Sequence, residues 1–147
     1  VLEPLGMTAT IVDGSPAKDF VAPLVDLTRF AAELARPTLV SSETASIATT
    51  AQFAELAGVV PGVGRFDPCP WGLGPELRGL KVPHWTGTRN HPTTFGHFGG
   101  AGTFLWVDPV ADLAVVALTD RPFGDWALTA WPACSDVVLA DHGIGAA

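Results

Sequence analysis

Gly96-His97-Phe98-Gly99-Gly100-Ala101-Gly102-Thr103-Phe104-Leu105-Trp106-Val107-Asp108-Pro109 carries the strongest structural signal in this chain. Glycines crowd its first half, and Thr103 to Val107 is β-branched and aromatic, which suits a pleated, half-buried strand. Asp108-Pro109-Val110-Ala111-Asp112 then reads as a turn, and Leu113-Ala114-Val115-Val116-Ala117-Leu118-Thr119 as a second strand. Two such runs joined by a five-residue loop predict a β-hairpin. The second run is apolar throughout, which predicts burial on both faces, as in a sheet covered by helices.

Working outward, Trp126 to Ala140 predicts a closing helix, kinked or begun at Pro132. Upstream, residues 58–94 are loop-rich. Val59-Val60-Pro61-Gly62-Val63-Gly64 and Pro68-Cys69-Pro70 exclude regular helix, and Trp71-Gly72-Leu73-Gly74 reads as the start of a strand. His84 to Thr94 reads as an ordered surface loop. A helix is expected between Pro23 and Pro37, with Leu24, Leu27, Phe30, Ala31 and Leu34 on one face. Asp26, Arg29, Glu33 and Arg36 fall elsewhere. A second helix is expected from Glu43 to Ala57, capped by Ser42 and closed by Gly58. The opening residues read as a helix end at Gly6, without a signal-peptide pattern, so the expectation is that polypeptide precedes Val1. The fold class is α/β in the α+β sense.

At 147 residues the chain is one domain or part of one. With 48% hydrophobic and 16% charged residues it is a core-forming chain rather than a solvated, disordered one. The net charge is −7 and the only lysines are Lys18 and Lys81, so a nucleic-acid or anionic-lipid partner is not expected. Every apolar run is interrupted well before the roughly 18 residues of a membrane-spanning helix. Tyr is absent, which removes phenolic acid–base chemistry. Cys69 and Cys134 are too few for a disulfide framework; the sequence leaves open whether they are bridged or free, and two buried thiols is the favoured reading.

The common catalytic signatures are missing. There is no G-x-S-x-G, no phosphate-binding glycine loop followed by lysine, and no His-Glu-x-x-His. His84, His91 and His97 are seven and six positions apart, which matches no helical pair of metal ligands, so neither metal nor cofactor is expected. Ser15-Pro16-Ala17-Lys18 formally matches S-x-x-K, but such a lysine accepts the serine proton only when both lie on one helix face. The context Asp13-Gly14-Ser15-Pro16 is a turn.

Gly96-His97-Phe98-Gly99-Gly100-Ala101-Gly102, the strand behind it, the acidic-Pro turn and the second strand together resemble the third-motif region of the serine β-lactamase and penicillin-binding-protein superfamily. The likeness is strongest to its class C-related esterase branch, with His97-Phe98-Gly99 as a His-x-Gly triplet. Glu3 to Thr10, Asp26-Leu27-Thr28-Arg29-Phe30, Ser42-Glu43-Thr44 and Trp71-Gly72-Leu73-Gly74 resemble earlier segments of that family in the same order. The resemblance implies the C-terminal portion of a β-lactamase-like fold, an antiparallel sheet covered by helices. Residues 1–147 would then be the C-terminal segment of one domain whose upstream half is missing.

It also implies a serine hydrolase that acts through an acyl-enzyme on small esters, amides or β-lactams. The family's nucleophilic Ser, its Lys and its Tyr-x-Asn motif lie upstream of the matched segment, so the upstream half is the partner required for activity. His97 and Gly100 would serve catalysis, His97 in the general-base network and Gly100 as a backbone N–H donor to the oxyanion. Phe98 and Gly99, with His84 and Trp85 from the preceding loop, would contact substrate. Phe98 stands where Thr is commoner, which implies a weaker preference for carboxylate-bearing β-lactams. Two other readings stand beside this one. The first is a binding or structural relative that has lost the nucleophile; the second is an unrelated domain with a ligand or metal site at His84, His91 and His97.

Overall fold

The computed structural model describes residues 1–142. Its centre is a four-stranded antiparallel sheet in the order β5 (Glu76–Leu77), β6 (Phe95–Gly99), β7 (Thr103–Asp108), β8 (Leu113–Ala117). The expected hairpin is β7–β8, with Trp106 opposite Val115 and Asp108 opposite Leu113. Side-chain alternation along β7 divides the core in two. Phe104 and Trp106 join Trp85, Ala127, Trp131 and Leu139 in one cluster, under α3 (Asp125–Asp141). Leu105 and Val107 join Leu77, Phe95, Ala114 and Leu34 in the other, under α1 (Leu24–Ala35). Helices therefore cover both faces of an antiparallel sheet, as the sequence implies. Pro132 lies inside α3, which runs through it.

Several expectations are corrected. β8 is half-buried at all five residues rather than buried on both faces. Both its faces pack on core residues, but it is the last strand of the sheet, and its outer edge has no strand partner among the described residues. The second helix, α2 (Ser42–Ala48), is seven residues long and ends well before Ala57. The β-branched Thr49 and Thr50 follow it, and Gln52 leaves the helical path to pair with Trp71. Its N-cap is Ser41, not Ser42, with Ser41 Oγ accepting from Thr44 N at 3.1 Å.

In α1 the polar face does not point wholly to water. Asp26 is buried, accepting from Ala9 N at 3.0 Å, Thr10 Oγ1 at 2.9 Å and Arg29 Nη1 at 2.8 Å, while Leu24 on the expected apolar face is exposed. The carboxylate thus ties the opening segment to the helix.

Two short ribbons were not anticipated. β1 (Ile11–Val12) pairs with β2 (Phe20–Val21) across the turn that holds Ser15 to Lys18. β3 (Gly58–Val60) pairs with β4 (Gly64–Phe66) across Pro61-Gly62, where Gly62 has φ +74°. Pro61-Gly62 directly after the β-branched Val59-Val60 was the signal for this second hairpin. The strand expected at Trp71–Gly74 starts later. Trp71 forms single bridges to Gln52 and Glu76, a turn runs through Gly72 and Gly74, and the strand proper is Glu76–Leu77. Cys69 is buried but Cys134 is exposed on α3, and both are free thiols.

Candidate active site

Gly96 begins the local geometry. It lies opposite Trp106 on β7, and a Cβ there would strike the Leu105 carbonyl, so only glycine allows the close approach of these strands. The β6–β7 turn is Gly100-Ala101-Gly102, with Gly102 N donating to Gly99 O at 2.9 Å and Gly102 at φ +84°. On its other side β6 is paired only at Phe95 and Gly96. Continuing that register would set Pro75 opposite His97 as a non-hydrogen-bonded pair, and the Pro75 carbonyl turns away from β6 to accept from Gly72 N at 2.9 Å. Pairing stops there, which leaves the β6 edge open from His97 onward. The Gly100 N–H has no acceptor among the described residues, whereas the Gly100 carbonyl accepts from Phe123 N at 3.0 Å.

An open cleft of about 410 Å³ borders this edge. Val60, Pro61, Trp71, Phe98 and Phe123 form apolar walls, and Glu76 and His97 are the titratable groups that reach it. The His97 side chain is exposed. Its Nδ1–H donates to the Phe98 carbonyl at 2.7 Å, which leaves Nε2 as the acceptor in the neutral ring. The Trp71 ring meets the His97 ring edge-on, 5.7 Å between centroids. Phe98 packs on Phe123 at 4.7 Å and Trp131 at 5.8 Å and so joins the cleft wall to the core.

The structure brings His97, Phe98 and Gly100 together at the cleft. Gly99 borders a neighbouring depression that it shares with His97, Phe98, Lys18 and Phe20. His84 and Trp85 do not line the cleft. Both are buried behind it, on a loop far less exposed than the sequence suggests. Ser15 lies in an exposed turn, its Oγ accepting from Ala17 N, so the S-x-x-K spacing has no helix to act on. No cluster of metal-ligating residues occurs among the described residues.

Behind the cleft, Glu76 is the residue that sequence reasoning missed. Its Oε1 accepts from Lys81 Nζ at 2.7 Å and from His84 Nε2 at 3.0 Å, and its Oε2 accepts from Trp85 Nε1 at 2.6 Å. No local motif announces this cluster, because the segment after β5 must fold back to bring Lys81, His84 and Trp85 onto Glu76. Thr86 N donates to His84 Nδ1, which assigns the proton of the neutral ring to Nε2, facing Glu76. Burial pushes the Glu76 carboxyl up, but hydrogen bonds and charge from His84 and Lys81 outweigh it and hold the group below the ordinary carboxylate range. Burial also pushes His84 down, reinforced by the Lys81 and Arg78 cations and only partly offset by Glu76.

Both shifts make the fold acid-sensitive. As pH falls below about 6.5, unfolded His84 takes up a proton that the folded ring resists, so the folded state loses stability. Glu76 adds a further loss at lower pH, where the unfolded carboxyl protonates before the folded one. The melting temperature is expected to fall steadily between pH 7 and pH 5, and a His84→Gln variant should flatten that decline. An unchanged slope in the variant would remove His84 as its source.

The beta-lactamase family model matches residues 1–133. The crystal structure of a beta-lactamase from Mycobacterium bovis superposes with a TM-score of 0.93 at 54% sequence identity, over 97% of this chain and 53% of that one. The chain spans about half the length of this solved relative. No curated protein matches the chain.

Proposed function

Because this chain belongs to the beta-lactamase family, we propose that it forms the C-terminal half of a serine hydrolase and supplies one wall of its acyl-transfer pocket. The open β6 edge from His97 to Gly100, beside an apolar cleft, is the observation that carries this reading. A serine from the upstream half attacks the substrate carbonyl, the carbonyl oxygen becomes an oxyanion, and the leaving group departs with a proton. Water then opens the acyl-enzyme. The Gly100 N–H, which has no acceptor among the described residues, donates to the oxyanion, and such a donor lowers the barrier by about 2.7–4 kcal/mol. His97 Nε2 serves the proton network at the mouth of the cleft. Phe98 and Gly99 flank the bound acyl group.

This division of labour has a direct test with a serine-reactive fluorophosphonate. The chain alone is expected to remain unlabelled, and the protein extended by its upstream half to take up one equivalent. Failure of the extended protein to label would favour the reading as a non-catalytic relative. Labelling of the isolated chain would place a nucleophile within it and overturn the division.

The cleft walls also bear on substrate. Among the described residues no lysine or arginine lines this wall of the cleft, and by the family resemblance Phe98 brings a ring where a hydroxyl would hold a carboxylate. A missing hydrogen bond to a charged group is worth about 1.5–3 kcal/mol, or roughly tenfold to a hundredfold in rate. The extended protein is therefore expected to hydrolyse p-nitrophenyl butyrate with a kcat/KM at least about tenfold above that for benzylpenicillin. Equal or better turnover of the penicillin would refute this preference.

A further inference from the structure

The Glu76 cluster takes no part in the chemistry just described, yet it stands directly behind the cleft. The backbone of Glu76 pairs with Gly96 of β6 on one side and with Trp71 on the other. Its side chain is buried and receives three donors, from Lys81, His84 and Trp85. Lys81 is equally buried and gives a further, longer bond to the Pro70 carbonyl at 3.4 Å. Trp71 is held on its far side by Gln52 N, which donates to its carbonyl at 2.7 Å. The Trp71 ring then closes on His97.

We infer that Glu76, clamped by Lys81, His84 and Trp85, is a positioning residue that sets Trp71 against His97 and so fixes the open end of the β6 edge. A carboxylate with one partner retains rotamer freedom, whereas one held by three donors in a dry site has a single arrangement. Because its backbone links Trp71 to β6, that arrangement is passed to both. The functional consequence rests on the reading of β6 as a substrate wall. The geometric claim does not, and its test requires no enzymatic activity.

The test is histidine and tryptophan side-chain NMR of this chain, comparing wild type with Glu76→Gln/Lys81→Met. The double change removes both buried charges together, since removing one would strand the other. Trp71→Leu calibrates the full displacement of the His97 ring signals. In the double variant, those signals are expected to move by at least half of the calibrated displacement. The nuclear Overhauser contact between the Trp71 and His97 rings should fall at least twofold, and the signals of His91 and His142 should stay in place. A double variant that melts earlier, but whose folded state keeps the His97 signals and the ring contact, would overturn the inference and leave the cluster a purely stabilising one. If the double variant does not fold, Trp85→Phe removes the single bond to Glu76 Oε2 and serves in the same comparison, with a smaller displacement in the same direction expected and none overturning the inference.

Discussion

Asp108→Ala is expected to destabilise the chain by about 3–5 kcal/mol, because several buried or half-buried neutral donors lose their shared acceptor, each at about 1–3 kcal/mol. The carboxylate is buried at the end of β7. Its Oδ2 accepts from His91 N at 2.8 Å and Thr94 Oγ1 at 2.9 Å, with Asn90 Nδ2 more distant at 3.5 Å. Its Oδ1 accepts from Val110 N and Ala111 N, both at 3.1 Å. One side chain thus forms the β7–β8 turn and also holds the loop that precedes β6. Alanine leaves these donors buried or half-buried without a partner, each at about 1–3 kcal/mol.

For a chain of this size the melting temperature should fall by about 10 °C, read by circular dichroism. Amide exchange at His91, Val110 and Ala111 should accelerate before global unfolding. Asp108→Asn keeps the shape but turns an NH₂ toward N–H donors, and should fall between wild type and alanine. A melting temperature within about 2 °C of wild type for Asp108→Ala would show that water or a rearranged loop replaces the carboxylate.

Gly100→Pro should reduce the kcat of the extended hydrolase by about 10²–10³, the loss seen when one oxyanion donor is removed. Proline deletes the N–H, and that N–H makes no other bond among the described residues. The Gly100 carbonyl and its bond from Phe123 N are retained. Gly100→Ala is the companion variant. A Cβ there meets no atom within 4 Å, so the chain folds, and the added methyl group enters the space beside the β6 edge. Alanine should therefore act mainly on KM, with kcat within about tenfold of wild type, because the donor persists. Equal losses of kcat in both variants, with unchanged melting curves, would assign the effect to shape and end the role of Gly100 as a donor.

The two predictions differ in how visible their residues are in the primary structure. The turn and strand around Gly100 are legible because their features are local, while its role as a donor was read from the family resemblance alone. Glycines, a β-branched aromatic run and an Asp-Pro turn follow one another within a few residues, and propensity acts at that range. The same locality makes α3 legible despite Pro132, and makes the short second helix the poorer expectation, since β-branched residues and a pairing with Trp71 ended it. Asp108 is half legible. Its place in the turn follows from the sequence, but its capture of residues 90–94 does not, because the loop folds back from many positions away. Asp26 misled helical periodicity for a related reason. A charged residue counts as solvent-facing until another segment brings donors to it.

By itself, the sequence determined the hairpin, the closing helix, the helix-covered sheet and the identity of the edge that carries His97 and Gly100. The hairpin, the closing helix and the covered sheet arise from periodicity and turn chemistry within single segments, whereas the part assigned to His97 and Gly100 came only from the resemblance to a known family. Only the tertiary structure decided that His84 and Trp85 turn inward onto Glu76, that Asp26 and Asp108 are buried ties, and that β6 stands open past Gly96. The reason is that burial of a polar group depends on the partners that satisfy it. Here Glu76 on β5 meets Lys81, His84 and Trp85 only once the following turn and loop have folded back over it.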